Sequence, residues 1–276
     1  MTGALVGVGA VFWQRDGQFE SLSPDGPFGT GSFSEAVGGA LFHALAAAVR
    51  KGADAALLSL RGGDVAGERI AEAVAEAGVA DLSAVFLDRQ SPSRTRLSGP
   101  DGKTLADLVD LRLVELAMGK QLRRSGTRAA LGAAGAVLVD GSLSEEALKR
   151  ITTHAGTRPI HALAVDRHGT ARLAGMRDRL DGVFLDQASA RDIASIGVEA
   201  TPAELGAALH DAGIPRGLVF GERWILGFEY GAAFELALPE TVQVTAIHSA
   251  TLSGGTLAGL VAGQPLKEAF SAAASV

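Results

Sequence analysis

Short apolar runs alternate with helical patterns along this chain, and that alternation restricts its fold more than any other feature. The runs are brief and rich in Val, Leu and Ala, as in strands buried on both faces: 4–12, 55–60, 84–87, 136–139, 160–165 and 183–185. Helical patterns over 38–50 and 65–77 separate them and stop at Gly52 and Gly78. Such alternation predicts a single domain over 1–276: an α/β fold, a three-layer α/β/α sandwich with a mostly parallel central sheet.

Two further helix starts carry a capping-box pattern, in which a Ser or Thr precedes a Glu by three positions. Ser142 with Glu145 and Thr201 with Glu204 both fit it, and Pro202 suits the first helical position. From about Leu218 the spacing changes to close strands, which predicts antiparallel pairing before a last helix near 254–262. The strands predicted in this part are 218–220, 224–228, 233–238 and 242–247.

Two polar stretches do not fit a sandwich layer. They span about 14–34 and 88–108, and they carry Asp-Gly pairs at Asp16-Gly17, at Asp25-Gly26 between two prolines, and at Asp101-Gly102. Asp-Gly is a strong signal for a tight hairpin turn. We therefore expect both stretches to form hairpins that project from the main sheet and together make a small β lid.

Composition excludes several classes of function. The 25 Lys and Arg residues are outnumbered by 31 Asp and Glu residues, for a net charge of −6, so no surplus of cations favours nucleic-acid binding. The absence of Cys excludes disulfides, Cys-ligated metals and thiol nucleophiles. No long apolar run predicts a membrane span, and no signal peptide is visible, so we expect a cytoplasmic protein. The His spacing predicts no metal site.

Several segments match motifs of one known family in the order in which that family has them. They are Gly38-Gly39-Ala-Leu-Phe-His43, Gly62-Gly63-Asp64-Val-Ala-Gly67, Val137-Leu-Val-Asp140-Gly-Ser-Leu143 and the closing helices around Gly259 and Gly263. This arrangement resembles the pfkB (ribokinase-like) family of carbohydrate and nucleoside kinases, nearest its pseudouridine kinase branch. The resemblance implies the ribokinase-like version of the α/β/α fold and a sugar, nucleoside or nucleotide as ligand. It also implies a homodimer formed through the lid, with ATP and Mg²⁺ in an active member.

The resemblance implies site residues one by one. For the substrate these are Trp13, Gly39, His43, Asp64 and Asp140. For the nucleotide and its phosphates they are Gly221, Thr251, Ser253, Gly254 and Gly255. We expect the ligand cleft between lid and sheet, and Asp140 is favoured because parallel sheets bind ligands at the carboxyl ends of their strands.

The sequence departs from the family at the positions that carry the family's chemistry. Members carry Gly-Ala-Gly-Asp at a helix start, where the Asp is the general base and the backbone N–H groups hold the transferred phosphoryl group. Counting back from Gly259 and Gly263 puts those four positions on Thr251-Leu252-Ser253-Gly254. We therefore expect no catalytic residue and a small-molecule-binding or regulatory pseudokinase. Two alternatives remain: an active kinase with a relocated base, or a non-catalytic module that dimerises through the lid. Candidates for that base are Asp186, Glu229, Glu235 and His248.

Overall fold

The structure is a computed structural model and describes residues 3–23, 26, 28–165, 170–242 and 244–275. The strands are β1 (Leu5–Val8), β2 (Phe12–Phe19), β3 (Gly31–Gly38), β4 (Ala55–Leu58), β5 (Leu60–Gly62), β6 (Ala80–Asp81), β7 (Ala84–Phe86), β8 (Ser93–Ser98), β9 (Thr104–Asp110), β10 (Ala136–Asp140), β11 (Ile160–Ala164), β12 (Gly182–Asp186), β13 (Arg216–Phe220), β14 (Trp224–Glu229) and β15 (Ala232–Ala237). The helices are α1 (Ala40–Arg50), α2 (Val65–Glu76), α3 (Arg112–Gln121), α4 (Ser125–Ala133), α5 (Glu145–Ala155), α6 (Thr170–Leu173), α7 (Gln187–Ala194), α8 (Pro202–Asp211), α9 (Ala246–Val261) and α10 (Leu266–Ala274), with a 3₁₀ helix over Ala174–Arg179.

A central sheet of nine strands confirms the predicted fold class. Its order is β15-β14-β13-β12-β11-β10-β1-β4-β6, with every pair parallel except the last two at the β15 end. Side chains alternate between the two faces of each strand, so Val6 and Val8 enter one apolar core and Leu5 enters the other. Helices cover both faces, and the result is the three-layer sandwich.

The two polar stretches form hairpins that share one smaller sheet. β2 pairs with β3 and β8 pairs with β9, both antiparallel, and β2 joins β8 in parallel to give the order β3-β2-β8-β9. Gly102 has a φ of +78° at the second turn, as an Asp-Gly turn requires. The pair Asp16-Gly17 makes no turn, because both residues lie inside β2. The turn predicted at Asp25-Gly26 is not tested, because Pro24, Asp25 and Pro27 lie outside the described residues. We call this sheet the lid.

The order of the central strands reverses beside β1. From β1 the chain continues to β4 on one side, while β10 lies on the other side and β11 to β13 follow it outward. Open α/β sheets bind ligands at such a switch point, outside the carboxyl ends of the strands. β2 begins at Phe12, shortly after β1 ends at Val8, so the lid rises from that same edge.

The two predicted capping boxes have different outcomes. The capping box at Thr201 is confirmed, because its side chain accepts from the Glu204 amide and Glu204 accepts from the Thr201 amide. The cap predicted at Ser142 is wrong: Ser144 caps α5 by accepting from the amide of Ala147. The Ser142 amide instead donates to Asp140.

The predicted strand at 242–247 is also wrong. Thr245 is the N-cap of α9, and its hydroxyl accepts from the amide of His248 over 3.2 Å. The His248 ring accepts in return from the Thr245 amide, so a His completes the capping box where the usual pattern has Glu or Gln. The helix therefore begins at Ala246 rather than near residue 254. None of the helices in the described part of the chain is long and apolar enough to span a membrane.

Candidate active site

A cavity of about 610 Å³ lies between the lid and the carboxyl edge of the central sheet. Ala10 and Phe12 line it from the connection between β1 and β2, and Gly39 lines it from the start of α1. Asp140 and Ser142 line it from the end of β10. The lid contributes Arg94 and the run 107–110. The wall is completed by Ala40, Leu111, Arg112, Glu115, Leu163, Val165 and Arg172. The cavity therefore sits at the switch point, where an α/β sheet is expected to bind a ligand.

Asp140 is held in a fixed position at the centre of this edge. Its Oδ2 accepts from the backbone amide of Ala10 over 3.3 Å, and its Oδ1 accepts from the amide of Ser142 over 3.0 Å. A Cβ on Gly9 would lie 2.3 Å from the Asp140 Cβ, so only glycine lets the two chain segments approach this closely. Each carboxylate oxygen can accept more than one hydrogen bond, so the group can also accept from ligand hydroxyls.

Gly39 opens the start of α1 to the cavity. Its φ of +114° is one that L side chains rarely adopt, and a Cβ there would lie 2.9 Å from the carbonyl oxygen of Ala10. No side chain caps this helix, and its first turn holds no acidic residue. The free N–H groups of the first turn therefore offer donors, and a partial positive charge, at the cavity wall.

The lid faces the cavity with paired charges. Arg94 donates twice to Asp107, with Nε 2.8 Å from Oδ1 and Nη2 2.5 Å from Oδ2. The Arg94 hydrogen bonds lower the pKa of Asp107 despite its partial burial, and the charges of Arg94 and Arg96 lower it further. Hydrogen bonds from Arg112 likewise lower the pKa of Asp110. Both carboxylates are therefore ionised at neutral pH, and the lid presents a polar wall.

Gly39 and Asp140 are the predicted substrate residues that the structure brings together. Trp13 does not line the cavity. Its neighbour Phe12 does, since successive residues of a strand point to opposite faces. His43 is half-buried one turn into α1, and burial and the nearby Arg50 lower its pKa, so its ring is neutral at physiological pH.

Asp64 has a structural role in the described chain. It caps α2 by accepting from the amide of Gly67 over 2.8 Å, and it also accepts from the amide and the hydroxyl of Ser91. Partial burial opposes ionisation, but these hydrogen bonds outweigh it and lower the pKa of Asp64. The carboxylate thus joins the start of α2 to the segment that leads into β8, and it is absent from the cavity wall.

The helix start expected at 251–255 is not there, because these residues lie inside α9. A Cβ on Gly254 would lie 1.9 Å from the carbonyl oxygen of Ala44, and one on Gly255 would lie 2.9 Å from the Cβ of Ala273. Ser253 is fully buried and donates to the carbonyl of Ser249. The expected amide cradle is therefore wrong, and the two glycines serve the close packing of α9 on α1 and α10. Thr251 and Gly221, which packs beneath the Trp224 ring, are likewise absent from the cavity wall.

No Asp or Glu occurs in α9 or its first turn. Most of the relocated bases considered above also have other partners. Asp186 caps α7 by accepting from the amide of Ser189. Glu229 accepts from Arg216 and from the amide of Leu266, and His248 completes the cap of α9. Glu235 is exposed on the edge strand β15, and none of these four side chains lines the cavity.

Sequence reasoning missed the charged residues of the lid, among them Arg94, Asp107 and Asp110. Their signal was present as opposite charges spaced along two strands of a predicted hairpin, a pattern that favours cross-strand pairs. Within the described ranges, no group of three or more His, Asp or Glu side chains is arranged to hold a metal ion. The start of α9 does not fit a transferred phosphoryl group in the way the resemblance implies, since it lacks a carboxylate and its capping box occupies the His248 amide.

Three solved structures are similar to this one over nearly its whole length. A carbohydrate kinase from Agrobacterium tumefaciens superposes with a TM-score of 0.85 at 28% identity, covering 98% of this chain and 88% of that one. The Arabidopsis thaliana ribokinase complexed with ribose and ATP gives 0.85 at 17% identity, covering 100% and 91%. The chain has a ribokinase-like fold. A ribokinase from Cryptococcus neoformans in complex with ADP gives 0.77 at 17% identity, covering 98% and 91%.

The ribokinase-like fold places the cavity described above between a sandwich and its lid, as the sequence predicts. The sequence matches no protein-family model and no curated protein.

Proposed function

We propose that this protein is a carbohydrate kinase homologue that binds a sugar or nucleoside in the lid cavity and transfers phosphate poorly or not at all. One observation carries the second half of this proposal: the helix that should present the general base, α9, begins with Thr245, Ala246, Ile247 and His248 and holds no carboxylate. A general base typically contributes about 10²–10⁴ in rate. An ordinary kinase turning over at about 1–100 s⁻¹ would become very slow without one.

Binding is supported by the residues that the cavity retains. Asp140 is held to accept from hydroxyls, the start of α1 offers N–H donors, and the lid is lined with charged pairs. Such walls suit a ligand with many hydroxyls rather than an apolar one. The Asp140-Gly-Ser-Leu143 segment, which resembles the pseudouridine kinase branch, favours a nucleoside among the possible ligands.

An active kinase with a relocated base is the second candidate. The observation that favours it is the number of acids on the cavity wall: Asp107, Asp110, Glu115 and Asp140. Arg94 and Arg112 already bind two of them, so Asp140 is the first carboxylate to test as a base.

One experiment on the purified full chain separates these readings. Isothermal titration with a panel of sugars and nucleosides should find a ligand, and Asp140→Asn should weaken its binding at least about tenfold, because hydrogen bonds to a charged group are strong. Asp81→Asn is a control on the far side of β4, where Asp81 pairs with Arg61. With ATP and Mg²⁺ present, the bound ligand should be phosphorylated slowly or not at all. Turnover in the ordinary kinase range would contradict the proposal that phosphoryl transfer is impaired. If no sugar or nucleoside of the panel binds, the non-catalytic module that dimerises through the lid is favoured.

Dimerisation through the lid is a separate proposal, supported by the outer face of that sheet. Phe33 is 66% exposed. It lies on one side of Gly17 and Leu97 lies on the other, so these three residues form a small apolar patch on one face of the lid. A second copy of this chain would cover it. Light scattering should give the mass of a dimer, and Phe33→Ser should shift it to that of a monomer; a monomeric parent protein contradicts the proposal.

A further inference from the structure

A groove of about 580 Å³ lies between helix α3 and the segment 86–90 at the end of strand β7. The helix contributes positions i, i+3, i+4 and i+7 of one face, which are Leu113, Leu116, Ala117 and Lys120. The segment contributes Phe86, Asp88, Arg89 and Gln90. The volume is within the range of about 300–1,000 Å³ that is typical of small-molecule sites.

The groove is a separate site from the lid cavity, although the two are neighbours. Asp110 and Arg112 form an ion pair and line both of them. Leu116 and Lys120 line the groove and are absent from the wall of the lid cavity. A ligand that contacts these two residues therefore occupies a different place from the one proposed for a sugar or nucleoside.

The groove carries apolar side chains that nothing in the described chain covers. Leu87 is 87% exposed and Leu116 is 78% exposed, the two highest values among the large apolar side chains that the structure describes. Leu116 lines the groove, and Leu87 lies between two residues that line it. Because removing apolar surface from water is favourable, these leucines favour an apolar occupant.

The other side chains of the wall favour an aromatic occupant. Phe86 contributes a half-buried ring, and aromatic rings pack well against one another. Arg89 pairs with the neighbouring Asp88 at 3.5 Å, and Arg112 pairs with Asp110. These ion pairs use the edges of the two guanidinium groups, whose planar faces stack on aromatic rings.

The charge that remains in the groove is positive. Both carboxylates of its wall are in the ion pairs just described, whereas Lys120 is exposed and has no carboxylate within ion-pair distance among the described residues. Glu146, which approaches the neighbouring Gly119, is itself paired with Arg150. An unpaired cation at the end of an apolar wall favours a ligand with a negative charge.

We propose that this groove binds a small aromatic carboxylate. The rings of the ligand cover Leu116 and lie against Phe86 and the arginine side chains, and its carboxylate pairs with Lys120. The groove thus selects a flat apolar ring system with one negative charge, whereas the lid cavity suits a ligand with many hydroxyls.

The test is isothermal titration of the full chain at pH 7 with 2-naphthoate and with the uncharged 2-naphthol. We expect saturable binding of naphthoate and weaker binding of naphthol. Lys120→Gln should weaken naphthoate binding about two- to fivefold, as the loss of an exposed ion pair does, and leave naphthol binding unchanged. Leu116→Ser should weaken the binding of both probes about tenfold, because both cover this side chain.

Val198→Ser and Lys267→Gln are matched controls, since both side chains are exposed and neither lines the groove. Both should bind naphthoate like the parent. Urea denaturation should show that Leu116→Ser is as stable as the parent, because Leu116 is exposed.

The proposal is overturned if naphthoate does not bind saturably or if naphthol binds as tightly as naphthoate. It is also overturned if Leu116→Ser or Lys120→Gln binds naphthoate as the parent does. Neither residue lines the lid cavity, so the result is independent of the function proposed above.

Discussion

Gly9 lies against Asp140 at the ends of two neighbouring parallel strands, and no side chain fits between them. The Cβ that any other residue would carry falls 2.3 Å from the Cβ of Asp140 and 2.9 Å from its Oδ2. The next residue, Ala10, donates its amide to that same oxygen. The glycine therefore decides where the central carboxylate of the cavity sits.

Gly9→Ala should consequently damage both ligand binding and stability. The added methyl must displace Asp140 or the end of β1, and overpacking of this kind typically costs about 1–3 kcal/mol. Urea denaturation measures the loss, and titration with the ligand found for the parent protein should show affinity falling with it. Gly132→Ala in α4 is the control, since its Cβ would have only ordinary contacts and should stabilise the helix. If Gly9→Ala and Gly132→Ala have the same stability and the same ligand affinity, this account of Gly9 is wrong.

Gly254→Ala should destabilise the protein and leave the lid cavity unchanged. Its Cβ would lie 1.9 Å from the carbonyl oxygen of Ala44, so α9 and α1 must move apart. We expect a loss of about 1–3 kcal/mol in the free energy of unfolding. Gly119→Ala in α3, where the nearest atom would be 3.5 Å away, should lose nothing. If Gly254→Ala leaves stability unchanged, close helix packing is not the reason for this glycine.

Asp64 should stabilise the fold only while it is ionised. Its pKa in the folded state is lowered, chiefly because hydrogen bonds from Ser91 and Gly67 outweigh the effect of burial. A lowered pKa means that the stabilisation is complete above the unfolded value of about 3.9 and is lost as the pH falls through the folded value. Asp64→Ala should cost about 0.5–2 kcal/mol near neutral pH, as lost N-caps do, and much less in acid. Chemical denaturation at both pH values measures the difference, and an equal cost at both would rule out an ionic cap.

His161 should make the fold lose stability in acid, and this loss should begin at a higher pH than the one due to Asp64. Complete burial, and secondarily the charge of Arg216, lower its pKa to about 3. In the unfolded chain the same ring takes up a proton below about 6.5, so stability is present above that pH and falls towards about pH 3 by up to about 1.4 kcal/mol per unit. His161→Leu should flatten this dependence, and NMR of the parent should show a neutral ring through most of the window. A ring that titrates near 6.5 in the folded protein would contradict the prediction.

The fold could be predicted from the sequence because its signals are local and agree with one another. Apolar runs of strand length, glycines that end helices and Asp-Gly turns each depend on near neighbours, and together they indicate a parallel sheet with a β lid. The Thr201 capping box is such a signal, since both partners lie within four residues. Asp140 followed from the same reasoning, because a polar residue directly after a buried strand must lie at the sheet edge.

The errors arose where the decisive partner is distant in sequence. Gly254 was expected at the start of a helix, but the atom that requires a glycine there belongs to Ala44, far away along the chain. The start of α9 was missed because a His takes the place of the acid in its capping box. The pairing of Arg94 with Asp107 depends on the register of two lid strands, which composition does not specify.

Ala10 belongs to the short connection, residues 9–11, that joins the last residue of β1 to the first residue of the lid. Its amide is committed to Asp140, so the lid is fastened at its base to the carboxylate that a bound hydroxyl would approach. A ligand hydroxyl that reached this oxygen would share it with the amide at the base of the lid. The ligand and the lid would then have one hydrogen-bond acceptor in common.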